Sequence, residues 1–292
     1  MTIKDALDRA KLLKRARSQE QQADHETQTP VAATGIPAEG RPGPGEFVRP
    51  PSVPPEPLRT VEISADACAR HRVLLSDAQL REMPQADAAY RLLRSRVQHR
   101  LKRNNWFSLA LVSPGKDDGK TVTALNLAIS IAREKQRPVY VLDLDMRNPS
   151  VCSYLGLQDM RALPDYFTGD AEAADVLVQT SFPYLFVAGG QTPVAGASEM
   201  LSGPRWEQLL AHIRHRSPDA LVIIDLPPVG LTDEAAILAP RVDALLIVVS
   251  EGKTPRDGLA RAIGVLSEFT VAGVVLNKSS DRHIGSYQQY YG

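Results

Sequence analysis

The chain has 292 residues, with 34 Lys and Arg balancing 34 Asp and Glu, 43% hydrophobic residues and 23% charged ones. That length serves one or two domains with a real core and excludes a disulfide-stapled miniprotein, while zero net charge gives no global pull toward nucleic acid or anionic lipid. Cys68 and Cys152 stand in no metal-ligand spacing and fit a reducing compartment.

No apolar run approaches the roughly 20 residues that span a bilayer. The opening MTIKDALDRAKLLKRA lacks the apolar core and cleavage site of a secretory signal, so a cytoplasmic location is expected. Residues 1–20 read as a basic amphipathic helix, with Ile3, Ala6, Leu7, Ala10 and Leu13 at helical spacing among Lys4, Arg9, Lys11, Lys14, Arg15 and Arg17. Residues 21–60 are rich in Pro and cannot bury enough apolar surface to offset their ordering entropy, which predicts a disordered linker. A connecting segment, 61–83, leads into the main domain, 84–278, and a flexible Tyr-rich tail occupies 279–292.

From residue 84 onward, short apolar runs alternate with helical stretches. The runs are 106–113, 138–145, 184–190, 220–227, 243–250 and 271–277; the helices fall at 121–135, 199–216 and 254–269. Continuous apolar strands between amphipathic helices predict an α/β fold whose mostly parallel sheet is covered by helices on both faces. Ligands of such sheets sit at the carboxyl ends of the strands, so the chemistry should follow each apolar run.

Three of those positions carry charge or glycine. SPGKDDGKT, residues 113–121, joins the first run to a helix and supplies Gly115, Gly119, Lys120 and Thr121, the residue types of a phosphate cradle. VYVLDLDMR ends in Asp143, Asp145 and Arg147; the two carboxylates fall on one side of an extended chain, where a cation between them relieves their repulsion. LVIIDLPP ends in Asp225, placed to hold Mg²⁺ through water. Singly these also read as a glycine turn or a capping Asp. Together they read as an Mg·ATP site of P-loop NTPase type.

GKT, DLDMR and DLPP, with the tail SYQQYYG, resemble the bacterial tyrosine kinase family of capsule and exopolysaccharide synthesis in its soluble form, over residues 84–292. QADAAYRLLRSRV, SEMLSGPRW and VDALLIVVSEGKT resemble that family's intervening segments. The resemblance implies an ATP- and Mg²⁺-dependent tyrosine autokinase that regulates polysaccharide polymerisation and export. It implies that Lys120 clamps the β/γ-phosphates, Thr121, Asp143 and Asp225 serve the metal, and Asp143 takes the phenol's proton. Asp145 orients metal and hydroxyl, Arg147 closes the second acidic motif, Val122 and Asn277 complete the nucleotide contacts, and Tyr287, Tyr290 and Tyr291 are the acceptors. Arg91 and Arg94 match the family's oligomerisation pattern, although Ala88 stands where its Glu would be and Asp87 comes one residue early.

The implied partners are an integral-membrane chain-length regulator, acting through its cytoplasmic segment and holding the protein at the inner membrane, other copies of the chain, and a tyrosine phosphatase. Nucleic acid is not expected: the run containing Arg96, Arg100, Lys102 and Arg103 reads as a solvated or subunit-facing helix without an aromatic stacking platform. Asp117, where the family's loop is glycine-rich, is expected to set a carboxylate close to the phosphates, weakening catalysis, or to leave Lys116 pairing with one loop carboxylate and holding the loop open. Two other readings compete. A catalytically weak nucleotide-dependent scaffold is one; a partitioning or positioning ATPase is the other, whose extra Lys five residues before the P-loop Lys is replaced here by Gly115.

Overall fold

The computed structural model describes residues 58–279. The N-terminal segment, the linker to residue 57 and the tail beyond 279, with Tyr287, Tyr290 and Tyr291, lie outside the described residues. Residues 58–60, the end of the expected linker, belong to the fold: Leu58 is buried and Thr60 pairs with Gln179.

Eight strands form one sheet in the order β1-β4-β5-β3-β6-β2-β7-β8. They are β1 (Thr60–Val61), β2 (Ser108–Val112), β3 (Val139–Asp143), β4 (Val178–Thr180), β5 (Leu185–Ala188), β6 (Leu221–Asp225), β7 (Ala244–Ser250) and β8 (Val271–Asn277). All neighbours are parallel except β4 and β5. The mostly parallel sheet read from the sequence is therefore observed, and each expected apolar run contains one strand. β1 and β4, two and three residues long, fall outside those runs.

The strands are apolar throughout because both faces are covered. Alternate residues of β3 enter different cores: Tyr140 and Leu142 pack with Trp206, Leu209 and Ile213 on one side, and Val139 and Val141 with Leu125, Ile129, Val97 and Leu101 on the other. Trp206 is fully buried, and truncating such a side chain costs about 3–5 kcal/mol. The helix Lys120–Ala132 is buried on nearly every side, since the long helix Pro84–Asn104 covers the face turned away from the sheet. The long helix opens with Pro at its first position and closes at Asn105 in the left-handed region.

The helix expected over 199–216 is two helices, Ala197–Ser202 and Arg205–Arg216. Gly203 and Pro204 separate them, since a proline ring denies the preceding turn its helical hydrogen bond. The connecting segment forms two short helices, Ala65–Arg70 and Asp77–Glu82, and straps the P-loop helix: Asn126 accepts from the Leu74 amide and donates to the Arg72 carbonyl, while Arg133 reaches the carbonyls of Leu74 and Leu75. Among the described residues no helix is long and apolar enough to cross a membrane.

Candidate functional site

Five consecutive strands, β3, β6, β2, β7 and β8, deliver the charged residues to one end of the sheet. The P-loop leaves β2 and enters the helix Lys120–Ala132 through Gly119 at φ +89°. A Cβ at Gly119 would lie 2.0 Å from Asn277 Nδ2, so this turn strongly favours glycine. No side chain caps the helix, which leaves its first amides available to an anion, and the macrodipole adds to the attraction.

Lys120 is buried and donates to Asp225 at 2.7 Å and to Asp145 at 3.5 Å. Burial by itself would lower the ammonium's pKa, but Asp225, Asp145 and Asp143 reverse that and hold it above its ordinary value. Thr121 donates to the other Asp225 oxygen at 2.5 Å and accepts from Ser150 at 3.2 Å. The cavity beside these groups, about 230 Å³, is lined by Gly115 to Val122 with Asp145, Asn148, Ser150, Tyr154 and Pro228.

The two carboxylates of the second motif have different surroundings. Asp143 lies directly opposite Asp225 in the sheet and does not reach the cavity; its oxygens accept from the amides of Asp145, Ser150 and Val151. Burial, then the Asp225 charge, push its carboxyl up to about 7 against those amides and Lys120. Asp145 does line the cavity, and burial raises its pKa despite Lys120. Asp143, like Asp225, lies buried behind the cavity wall, and Asp145 is the carboxylate of the second motif that lines it.

Arg147 and Asp117 make their side-chain contacts away from Lys120. Arg147 turns away to Glu234, 2.7 Å distant and fully buried, and is not among the cavity-lining residues. Asp117 adopts φ +58°, a glycine-like conformation, with its side chain 82% exposed and 3.4 Å from Lys253. Its charge is solvated and paired with Lys253, not Lys116, which is less repulsive than a carboxylate buried against the phosphates would be.

Asp118 is the loop's buried carboxylate. One oxygen accepts from the Gly115 amide at 2.9 Å and the other from the Thr254 hydroxyl at 2.8 Å, so part of the loop's donor capacity is spent internally. Asn277 donates to the Asp118 carbonyl and Lys278 to the Asp117 carbonyl, which ties the end of β8 to the P-loop. Thr254, Lys253 and Lys278 left no sequence signal as site residues. Their placement depends on β7 and β8 lying beside β2 and its neighbour.

A second cavity, about 520 Å³, shares Val122 with the first and is bounded by Tyr90, Thr123, Asn126, Val275 and Asn277. Arg91 holds Asp87 on its own helix, and Arg94 is tied within the chain to Glu134 and the Ser130 carbonyl. Tyr154, on the cavity wall, is stacked against His71 of the strap with ring centroids 4.1 Å apart.

A parallel sheet that ends in an uncapped glycine turn, a buried lysine and strand-end carboxylates defines a P-loop nucleotide-binding protein. Residues 108–285 match the family model ParA, described as NUBPL iron-transfer P-loop NTPase. The chain belongs to this family of P-loop NTPases and, within it, to the bacterial tyrosine kinases. It is 26% identical over 223 residues to tyrosine-protein kinase CpsD of Streptococcus agalactiae, which covers 75% of this chain and 94% of that protein. Tyrosine-protein kinase YwqD of Bacillus subtilis is 27% identical over 206 residues, 70% of this chain and 85% of the relative. The kinase domain of Escherichia coli tyrosine kinase ETK shares the fold with a TM-score of 0.62 at 23% identity, covering 76% of this chain and 91% of that one. The chimerical protein CapA2B2 does so with a TM-score of 0.62 at 19% identity, over 77% and 95%.

Proposed function

We propose that this kinase transfers the γ-phosphoryl group of Mg·ATP to tyrosines of its own C-terminal cluster, Tyr287, Tyr290 and Tyr291, in trans between copies of the chain. The observation that carries the reading is the Lys120–Asp225–Thr121 constellation beside Asp145, at an uncapped helix start. The donor set fits the metal: a hydroxyl and carboxylate oxygens suit Mg²⁺, which usually takes one or two carboxylates and keeps water and phosphate as its other ligands.

In this reading Thr121 and Asp225 would hold Mg²⁺, whose charge would offset that of the phosphates. Lys120 gives up its longer contact, to Asp145, in favour of the β/γ-phosphates, and the amides of Gly119 to Val122 cradle them. Val122 and Asn277, on the wall of the larger cavity, would contact the nucleoside. Asp145, released from Lys120, accepts the phenol's proton as the phenolic oxygen bonds to phosphorus and the bond to the leaving ADP oxygen breaks. Such chemistry is mostly positioning and charge stabilisation, which these residues supply.

The cellular role that fits is regulation of capsule or exopolysaccharide polymerisation and export. The associated partners would be the cytoplasmic segment of a membrane chain-length regulator, other copies of this chain and a tyrosine phosphatase, with the regulator holding the kinase at the inner membrane. Arg91 contributes to contacts between copies, while Arg94 acts by fixing its helix. A second reading, a nucleotide-dependent scaffold with weak catalysis, is favoured by the Gly115 amide being taken by Asp118.

The test mixes a Lys120→Met chain that keeps its tyrosines with an active chain whose three tail tyrosines are Phe. Phosphate is expected on the tail of the Lys120→Met partner. Its absence, when wild type labels its own tail at dilutions that leave only monomer, overturns transfer in trans, and nucleotide binding without any labelling favours the scaffold.

A further inference from the structure

The end of the sheet opposite the nucleotide site gathers cations. Because β3, β6 and β2 are adjacent and parallel, the segments that precede them converge at one pole. The long helix ends there with Arg96, Arg100, Lys102 and Arg103 exposed; Lys135 follows the P-loop helix, and Arg214 lies near the end of Arg205–Arg216, its guanidinium 4.2 Å from the Phe107 ring. Among the described residues none of these six pairs with a carboxylate.

Several carboxylates at the same end are already engaged. Glu134 holds Arg94 and Gln98, and Asp243 accepts from the amides of Phe107 and Ser108. Asp219 sits beside Arg137, and Glu268 lies in the turn before β8. Attraction to helix carboxyl ends accounts for basic residues in a last turn, such as Lys102, Arg103 and Arg214. It does not account for Arg96, more than a turn back, or for Lys135, beyond its helix.

In a chain with no net charge, a basic pole opposite a carboxylate-rich site makes a dipolar molecule that orients on a charged surface. The cations come from both helical layers, so they span the thickness of the domain instead of lining a groove. The half-buried Trp106, beside the end of the long helix, adds the residue type that favours a bilayer interface. We propose that this pole seats the kinase directly on an anionic bilayer, with the nucleotide site and the end of β8 facing away from the lipid. The site then stands off by about the length of a five-residue strand, roughly 17 Å, beyond the Debye length of about 8 Å at physiological salt.

Sedimentation of the full chain with phosphatidylglycerol–phosphatidylcholine vesicles, against pure phosphatidylcholine vesicles, tests this. Wild type should bind only the anionic vesicles, release as salt rises, and lose roughly tenfold or more in affinity when Arg96, Arg100, Lys102 and Arg103 are changed to Gln, since each cation contributes independently near the surface. The basic stretch at residues 3–20 stays unchanged in both proteins. Folding of the variant is checked by its thermal midpoint and by unaltered Mg·ADP affinity. Equal vesicle binding by the folded variant overturns the proposal; so does tighter wild-type binding to duplex DNA than to anionic vesicles at the same salt, which would make the pole a nucleic-acid surface.

Discussion

Changing Gly119 to Ala puts the P-loop geometry under direct load. The new Cβ must share φ +89° with its backbone and would lie 2.0 Å from Asn277 Nδ2. The left-handed conformation costs about 1–2 kcal/mol for a residue with a Cβ. Asn277 must also withdraw, losing its hydrogen bond to the Asp118 carbonyl, worth about 1 kcal/mol. The total of about 2–3 kcal/mol corresponds to a fall in melting temperature of roughly 5–10 °C for a domain of this size. Gly252→Ala is the matched control: its φ is +70°, but nothing lies within 4 Å of the added Cβ, so it carries only the backbone cost. Differential scanning calorimetry should show the larger loss for Gly119→Ala, and titration calorimetry a loss of Mg·ADP affinity for that variant alone. Equal melting temperatures for the two variants, with nucleotide affinity unchanged in both, would refute the packing of β8 against the P-loop.

Asp143 predicts a pH dependence: its carboxyl rises from 3.8 to about 7 on folding, so the folded chain keeps a proton that the unfolded chain has lost. The associated stability is present below about pH 4 and disappears as pH rises through about 7; urea titrations across that window should show the decline in wild type and a flatter profile in Asp143→Asn. Removing the Thr254 hydroxyl with Thr254→Val leaves one oxygen of buried Asp118 unsatisfied and should cost about 1–3 kcal/mol in chemical denaturation, with weaker nucleotide binding. Arg147→Met should destabilise more than the double change Arg147→Met with Glu234→Leu, because the single change leaves a buried carboxylate unpaired; the reverse order would show that the pair carries no structural weight.

The strands were legible because burial on both faces makes each a continuous apolar run, and the strand-end motifs because charge at the close of such a run breaks its pattern. β1 and β4 were not, since two or three residues carry no period and owe their pairing to each other and to β5. The helix Lys120–Ala132 was legible, but its nearly complete burial follows from the long helix that covers it. Asp117 and Asp118 are chemically alike and adjacent; only the turn at φ +58° decides that the first faces solvent and the second holds Gly115 and Thr254. The separate surroundings of Asp143 and Asp145 likewise depend on the amides of Ser150 and Val151, which the chain brings back after the turn. Glu234 lies 87 residues from Arg147 in sequence, and no local pattern marks the pair.

Under the proposed function, the Lys120-centred site phosphorylates the C-terminal tyrosines. Mass spectrometry of the purified full chain after incubation with Mg·ATP, read beside Lys120→Met and Asp145→Asn under the same conditions, tests it most directly. Phosphate is expected on Tyr287, Tyr290 and Tyr291 in wild type, none in Lys120→Met, and a much slower appearance in Asp145→Asn with Mg·ADP affinity retained. Tail phosphate appearing in Lys120→Met at the wild-type rate, or wild-type protein that binds Mg·ATP and leaves all three tyrosines unmodified, would contradict it.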